Sequence, residues 1–115
     1  MRLHHIAFRT GDVARLAHFY GAVLGLAERQ APRPEVVWFD AAGVIVMIEP
    51  ATPTEPGPSA GTMDLIAFTI TASDVTRFRN TLALYNVPIE HETAYTIYVR
   101  DPDGRRIGLS HFEVA

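Results

Sequence analysis

The sequence predicts an α+β fold made of two tandem βαβββ modules. Three observations carry this. The run "LHHIAFRT" near the start returns as "MDLIAFTI" after the middle of the chain. Each run is followed by a stretch with helical spacing and then by three short strand-like segments. The last two strands of each half meet at related turns, "FDAAGV" and "RDPDGR", in which Asp40 corresponds to Asp101 and Gly43 to Gly104. The same unit recurring in the same order is the mark of a repeat. Half of a 115-residue chain is too small to bury its own sheet, so one domain is expected over residues 1–115. The first module covers about 1–50, a linker about 51–61 and the second module about 62–115.

In "LHHIAFRT" successive side chains point to opposite faces, so His5, Ala7 and Arg9 share one face and His4 takes the other. His4 reads as structural. A helix follows, with Asp12 as N-cap, Val13, Leu16, Tyr20, Val23 and Leu24 on its apolar side, and Gly25 as its stop. His18 lies off that stripe and is expected in solvent. "LAERQ", "EVVWFD" and "GVIVMIEP" are the next strands, and the pairing of the last two brings Val36 and Trp38 beside Met47 and Ile45. "PATPTEPGPSAG" is rich in Pro and Gly and reads as a linker.

The second module begins with Leu65, Ala67 and Thr69 on one strand face. Its helix is expected to be capped by Ser73 or Asp74, with Val75, Phe78, Leu82 and Tyr85 on one side and Asn86 as its stop. "VPIEHE", "AYTIYVR" and "RRIGLSHF" complete the strands. Arg106 and Ser110 share the face of Gly108. A four-residue DPDG turn would set Ile97 opposite Gly108 and bring Tyr95 and Val99 to the same face. His91 and Glu92 read as surface near a strand edge, and His111 has the opposite parity to Gly108.

A net charge of −3 argues against nucleic acid or an anionic membrane as partner. With no cysteine there is no disulfide, thiolate zinc site or Cys nucleophile. No apolar run approaches a membrane span and the N-terminus lacks a continuous apolar signal segment, so a cytoplasmic chain is expected. Asp101 and Asp103 look like a carboxylate pair, but Asp in a Pro–Gly turn is turn chemistry. The glycines form no phosphate loop and no Ser-His-Asp spacing stands out.

Three motifs in order, "HHIAFRTGDVARLAHFYGAVLGL", "LIAFTITASDV" and "YVRDPDGRRIGL", resemble the vicinal oxygen chelate superfamily, the glyoxalase, bleomycin-resistance and extradiol-dioxygenase group. The resemblance spans essentially the whole chain. It implies two modules whose sheets curl around a cavity, each with a helix packed outside. It also implies metal-ligand positions at His5, Met47, Leu65 and Gly108. A divalent ion needs several N and O ligands, and this set offers one imidazole and one thioether. No metal cofactor is therefore expected. Asp64 is the nearest spare carboxylate, but it shares the parity of His4 and points away.

Two functional readings follow from the resemblance. One is a small-molecule-binding protein with a degenerate metal site. Its cavity is expected to be lined by His5, Arg9, Trp38, Met47, Tyr95 and Arg106 and to take an organic molecule with an aromatic or apolar body. Trp38 and Tyr95 offer stacking area, and Arg9 or Arg106 would hold an acidic or polar end. The alternative is a glyoxalase-type isomerase, lyase or thiol transferase, using a non-standard divalent metal site or working without metal with His5 as the catalytic base. The bland alternative is that the six side chains fill a core. The resemblance also implies a homodimer, and the linker would permit the halves to pair within one chain or to exchange between two.

Overall fold

The computed structural model describes residues 1–114. The chain divides into two compact units, Met1–Gly57 and Pro58 onward, and the division falls inside the Pro-rich segment. Each unit is one βαβββ module. The first contains β1 (His5–Thr10), α1 (Val13–His18), β2 (Ala27–Arg29), β3 (Val37–Ala41) and β4 (Val44–Pro50). The second contains β5 (Leu65–Thr69), α2 (Val75–Leu84), β6 (His91–Glu92), β7 (Thr96–Arg100) and β8 (Arg106–Ser110). The sheets have matching orders, β1-β4-β3-β2 and β5-β8-β7-β6. In each, the first strand runs parallel to the last and the remaining pairs are antiparallel. Among the described residues no helix is long and apolar enough to cross a membrane.

Strand alternation decides which face of each sheet is dry. In the first unit Phe8, Phe39, Val46 and Ile48 are buried together with Leu16, Phe19, Tyr20 and Val23 of the helical segment. In the second, Ile97, Val99, Ile107 and Leu109 are buried with Phe78 and Leu82 of α2. The alternate residues form the other face of each sheet, which apart from the buried Gly108 is exposed to half-buried.

Both helical segments depart from the simplest reading of their spacing. Asp12 caps α1 by accepting the Arg15 N–H at 3.1 Å, as expected. The segment then widens into a π turn over Phe19–Val23, where the Leu24 N–H reaches the Phe19 carbonyl at 2.9 Å. More residues per turn let Phe19, Tyr20, Val23 and Leu24 all become buried. Gly21 sits against Phe39, where a Cβ would stand 2.9 Å from the ring, so the close approach requires glycine. His18 is exposed, as expected. Asp74 stands at the N-cap of the second helix, one of the two residues expected there, although its side chain makes no cap hydrogen bond to that helix. A 3-10 turn over Ala72–Asp74 precedes α2, and Asp74 closes a capping box by accepting the Thr71 N–H at 3.2 Å. Asn86, at φ 56°, ends α2 as expected. Tyr85 is 40% exposed rather than part of the apolar side, because the chain leaves helical geometry at that residue.

The two hairpins differ, and each shifts its register. Ala42 and Gly43, both at positive φ, make a two-residue turn where a four-residue turn was expected, so Trp38 falls opposite Met47 rather than Ile45 and keeps the expected face, while Val36 precedes β3 and is buried. In the second unit the loop has five residues, because Arg100 pairs with Arg106. Asp101 causes this. Its buried carboxylate accepts the N–H groups of Asp103 and Arg105 at 2.9 and 3.0 Å, which draws Arg105 into the turn. Gly108 therefore faces Tyr98 rather than Ile97. Ile97 and Val99 go to the core, and Tyr98 takes the open face with Thr96 and Arg100.

Asp101→Ala would strand two N–H groups and remove one of the two carboxylates, the other being that of Asp103, that pair with the Arg105 guanidinium. The expected cost is about 3 kcal/mol of unfolding free energy, read as a lower denaturant midpoint at unchanged slope. A loss of under about 0.5 kcal/mol, the level of an ordinary surface substitution, would remove this role.

Candidate functional site

In the first unit the open face carries His5, Ala7 and Arg9 of β1, Ile45, Met47 and Glu49 of β4, and Trp38 of β3. Met47 is flanked by Ala7 on one side and Trp38 on the other. His5, Arg9, Trp38 and Met47 thus share one face. His4 does not turn away from His5. It precedes the pleat of β1, and the two rings meet edge to face with Nδ1 atoms 2.9 Å apart. One imidazole must donate and the other accept, so each fixes the tautomer of its neighbour.

Arg9 is already engaged. Its guanidinium forks onto Glu55, with Nε at 2.8 and 3.0 Å and Nη2 at 2.8 Å, and Glu49 lies 3.7 Å from Nη1. The Thr52 N–H donates to the same Glu55 carboxylate. The hydrogen bonds from Arg9, then that from Thr52, pull the Glu55 carboxyl down to about 2 and raise Arg9 in turn. The sequence reading missed Glu55. Its one signal is that it is the only charged residue in the Pro-rich segment.

In the second unit a groove of about 370 Å³ lies on the open face. Leu65, Ala67, Tyr95, Tyr98 and Phe112 give it an apolar and aromatic lining, and Thr96 and Ser110, hydrogen-bonded at 2.8 Å, add hydroxyls. Tyr95 enters from the turn before β7 rather than by strand parity, and its ring packs edge to face on Phe112 at 5.2 Å and on His111 at 5.6 Å. A Cβ at Gly108 would meet Leu65 Cδ1 at 3.4 Å, so the Leu65 side chain lies over that glycine.

Arg106 is outside the lining of the groove but lies against Tyr98, which is part of it. The Arg106 guanidinium lies 4.1 Å from the centre of the Tyr98 ring, and Nε donates to Glu90 at 3.3 Å. Arg100 also binds Glu90, with Nη2 at 2.9 Å. The Arg100 hydrogen bonds, ahead of those from Arg106, hold the Glu90 carboxyl below its usual range. Tyr98, Glu90 and Arg100 were not singled out from the sequence. His91 and Glu92 are exposed on the edge strand β6, as expected; the His91 ring lies 5.8 Å from that of Tyr98, and Glu92 is paired with Arg79 at 2.6 Å. A further hollow of about 410 Å³ runs along residues 28–37 and holds none of the predicted site residues.

At the positions where the resemblance implies metal ligands the side chains present do not fit a divalent ion. His5 offers an imidazole already bonded to His4, Met47 a thioether, Leu65 no donor and Gly108 no side chain. A Cβ at Gly108 would touch Ala67, Leu65 and Thr96 at 3.3–3.4 Å, so its surroundings are apolar. Among the described residues no three His, Cys, Asp or Glu side chains form a group able to hold a metal.

The profile of the glyoxalase/bleomycin resistance protein/dioxygenase superfamily matches residues 2–109, and the chain belongs to that superfamily. A glyoxalase/dioxygenase from Nostoc punctiforme is similar over 94% of this chain and 88% of its own, at 25% identity and a TM-score of 0.77. A fosfomycin resistance protein, FosX, from Listeria monocytogenes, whose variant was solved with Mn(II) and 1S,2S-dihydroxypropylphosphonic acid, matches at 19% identity. It covers 98% of this chain and 94% of its own, with a TM-score of 0.83. A lactoylglutathione lyase from Agrobacterium tumefaciens matches at 18% identity, over 95% and 92% of the two chains, with a TM-score of 0.71. At these last two identities the likeness is one of fold. No curated relative matches the chain.

The Arg9–Glu55 fork carries a pH dependence whose direction is fixed. The Glu55 carboxyl is lowered from 4.5 to about 2, so its contribution is present above pH 4.5 and is lost as pH falls through about 2. Between those values the wild-type melting temperature is expected to fall more steeply than that of Glu55→Gln. Parallel melting curves of the two proteins across that range would show that the fork is idle.

Proposed function

We propose that the chain is a small-molecule-binding protein of the glyoxalase/bleomycin-resistance type that works without a metal ion. Its ligand is an organic molecule with an aromatic or apolar body. The observation that carries this reading is the groove of the second unit, where Leu65 covers Gly108 and the rings of Tyr95, Tyr98 and Phe112 stand around the space. Such a surface binds by apolar area and ring contact, with a few polar groups for orientation. The fold supports the reading, since the Listeria relative holds a small organic acid on it. Ligand contacts are assigned to His5, Arg9, Trp38 and Met47 in the first unit and to Tyr95 and Arg106 in the second.

The test is a titration with the neutral fluorescent probe N-phenylnaphthylamine before and after exhaustive chelation. Saturable binding of equal strength in both samples, with no thermal stabilisation by added Zn²⁺ or Mn²⁺, is the expected result, because a metal bound to the native state would raise its stability. Affinity lost on chelation would overturn the metal-free reading, and absence of binding would overturn the binding reading.

One observation favours a second reading, an enzyme acting without metal. His4 gives His5 the orienting hydrogen bond that a general base requires. Under that reading His5→Gln lowers turnover and leaves affinity in place, whereas under the first it moves affinity alone.

A cytoplasmic homodimer completes the proposal. Absence of cysteine supports the location. The assembly is supported by β1 and β5, which stand at the edges of their hydrogen-bonded sheets, since an open edge offers backbone groups for pairing. Sedimentation is expected to give a dimer at micromolar concentration, and a monomer throughout would remove this part.

A further inference from the structure

We infer that the ligand of the second unit's groove is an aromatic anion and that Arg106 is the residue that holds its charged end. The inference rests on the groove being a binding site, as proposed above. Arg9 and Arg106 are equal candidates in the sequence, but their surroundings differ. Arg9 meets two carboxylates: Glu55 forks it with contacts of 2.8–3.0 Å, and Glu49 lies at 3.7 Å. An incoming anion there meets excess negative charge.

Around Arg106 the balance is reversed. Arg100 and Arg106 are direct cross-strand partners, and both turn to the single carboxylate of Glu90. Like charges directly opposite on a sheet repel, and one carboxylate neutralises only one of them. Among the described residues no other acidic side chain lies within ion-pair distance of either arginine. Arg100 is saturated, with Nε and Nη2 on Glu90 and Nη1 on the carbonyls of Thr62 and Gly104. Arg106 reaches Glu90 through Nε alone, which leaves its Nη1 and Nη2 end for another acceptor. That end can take a carboxylate or sulfonate in two parallel bonds.

The placement suits a ligand. The Arg106 side chain is only 13% exposed, so the excess charge lies mostly out of water, where an anion is attracted more strongly than at an open surface. Its guanidinium rests on the Tyr98 ring at 4.1 Å, and its partner on the parallel strand is Leu65. Tyr98 and Leu65 both line the groove. A molecule whose ring lies along that apolar lining would present an acidic substituent to Arg106. Glu90 sets the preference by deciding how much positive charge is left over.

The test compares two fluorescent probes that share one aromatic body, neutral N-phenylnaphthylamine and its sulfonated counterpart anilinonaphthalenesulfonate, titrated into the full chain. The sulfonated probe is expected to bind roughly tenfold more tightly, as a charge-assisted fork implies. Arg106→Gln removes the preference, Arg106→Lys keeps part of it by retaining charge without the fork, and Glu90→Gln shifts it further toward the sulfonate. Equal affinities in the wild type, or a preference that survives in a folded Arg106→Gln variant, would overturn the inference and leave the groove reading standing. A preference unmoved by Glu90→Gln would overturn it as well, independently of how Arg106 variants fold. Binding of neither probe would overturn the groove reading and this inference with it.

Discussion

Each four-stranded sheet in this protein has one helix to cover it, and a sheet has two faces. This constraint governs everything else. The helical segment of the first unit can shield only the side of Phe8, Phe39, Val46 and Ile48, and α2 only the side of Ile97, Val99, Ile107 and Leu109. Because side chains alternate along a strand, every second residue is then committed to the open face. Apolar area on the helix side stabilises the fold, while the open side is left to carry chemistry. The π turn at Phe19–Val23 serves the same constraint, since it puts more large side chains on the sheet from a short helix.

The same constraint governs the positions where the resemblance implies metal ligands. The positions of His5, Met47, Leu65 and Gly108 all lie on open faces, away from the packed side. Exchanging a ligating side chain for Leu or Gly there does not disturb the core, so the fold persists across proteins that differ in what they bind. In the second unit Leu65 lies beside Gly108 and aromatic rings border the groove.

Charge on the open faces is managed from outside the sheets. Glu55 comes from the Pro-rich segment and Glu90 from the stretch before β6, and each accepts from arginines whose side chains stand on strands. The two arrangements do not match. The first gives one arginine two carboxylates, and the second gives two arginines one. A repeated fold thus carries unlike electrostatics on its two halves, and the difference arises in the segments that the repeat does not share.

The repeat, the strand faces of β1, β4, β5 and β8, the Asp12 cap and the Asn86 stop were legible in the sequence, because each depends on residues near one another in the chain. The face of Trp38 was legible although its register was not, since a turn of two residues instead of four shifts the pairing by two and leaves the faces unchanged. Tyr98 opposite Gly108 was not legible. Whether the turn after Arg100 holds four residues or five depends on a buried carboxylate that captures Arg105, and a one-residue change reverses the faces of the strand. Nor could the sequence tell that Glu55 closes over Arg9, 46 positions away, or that Arg100 and Arg106 share Glu90. Sequence determined which residues lie on which strands, through local periodicity. Tertiary structure decided which charges meet, because ion pairing depends on distances between segments that periodicity leaves free.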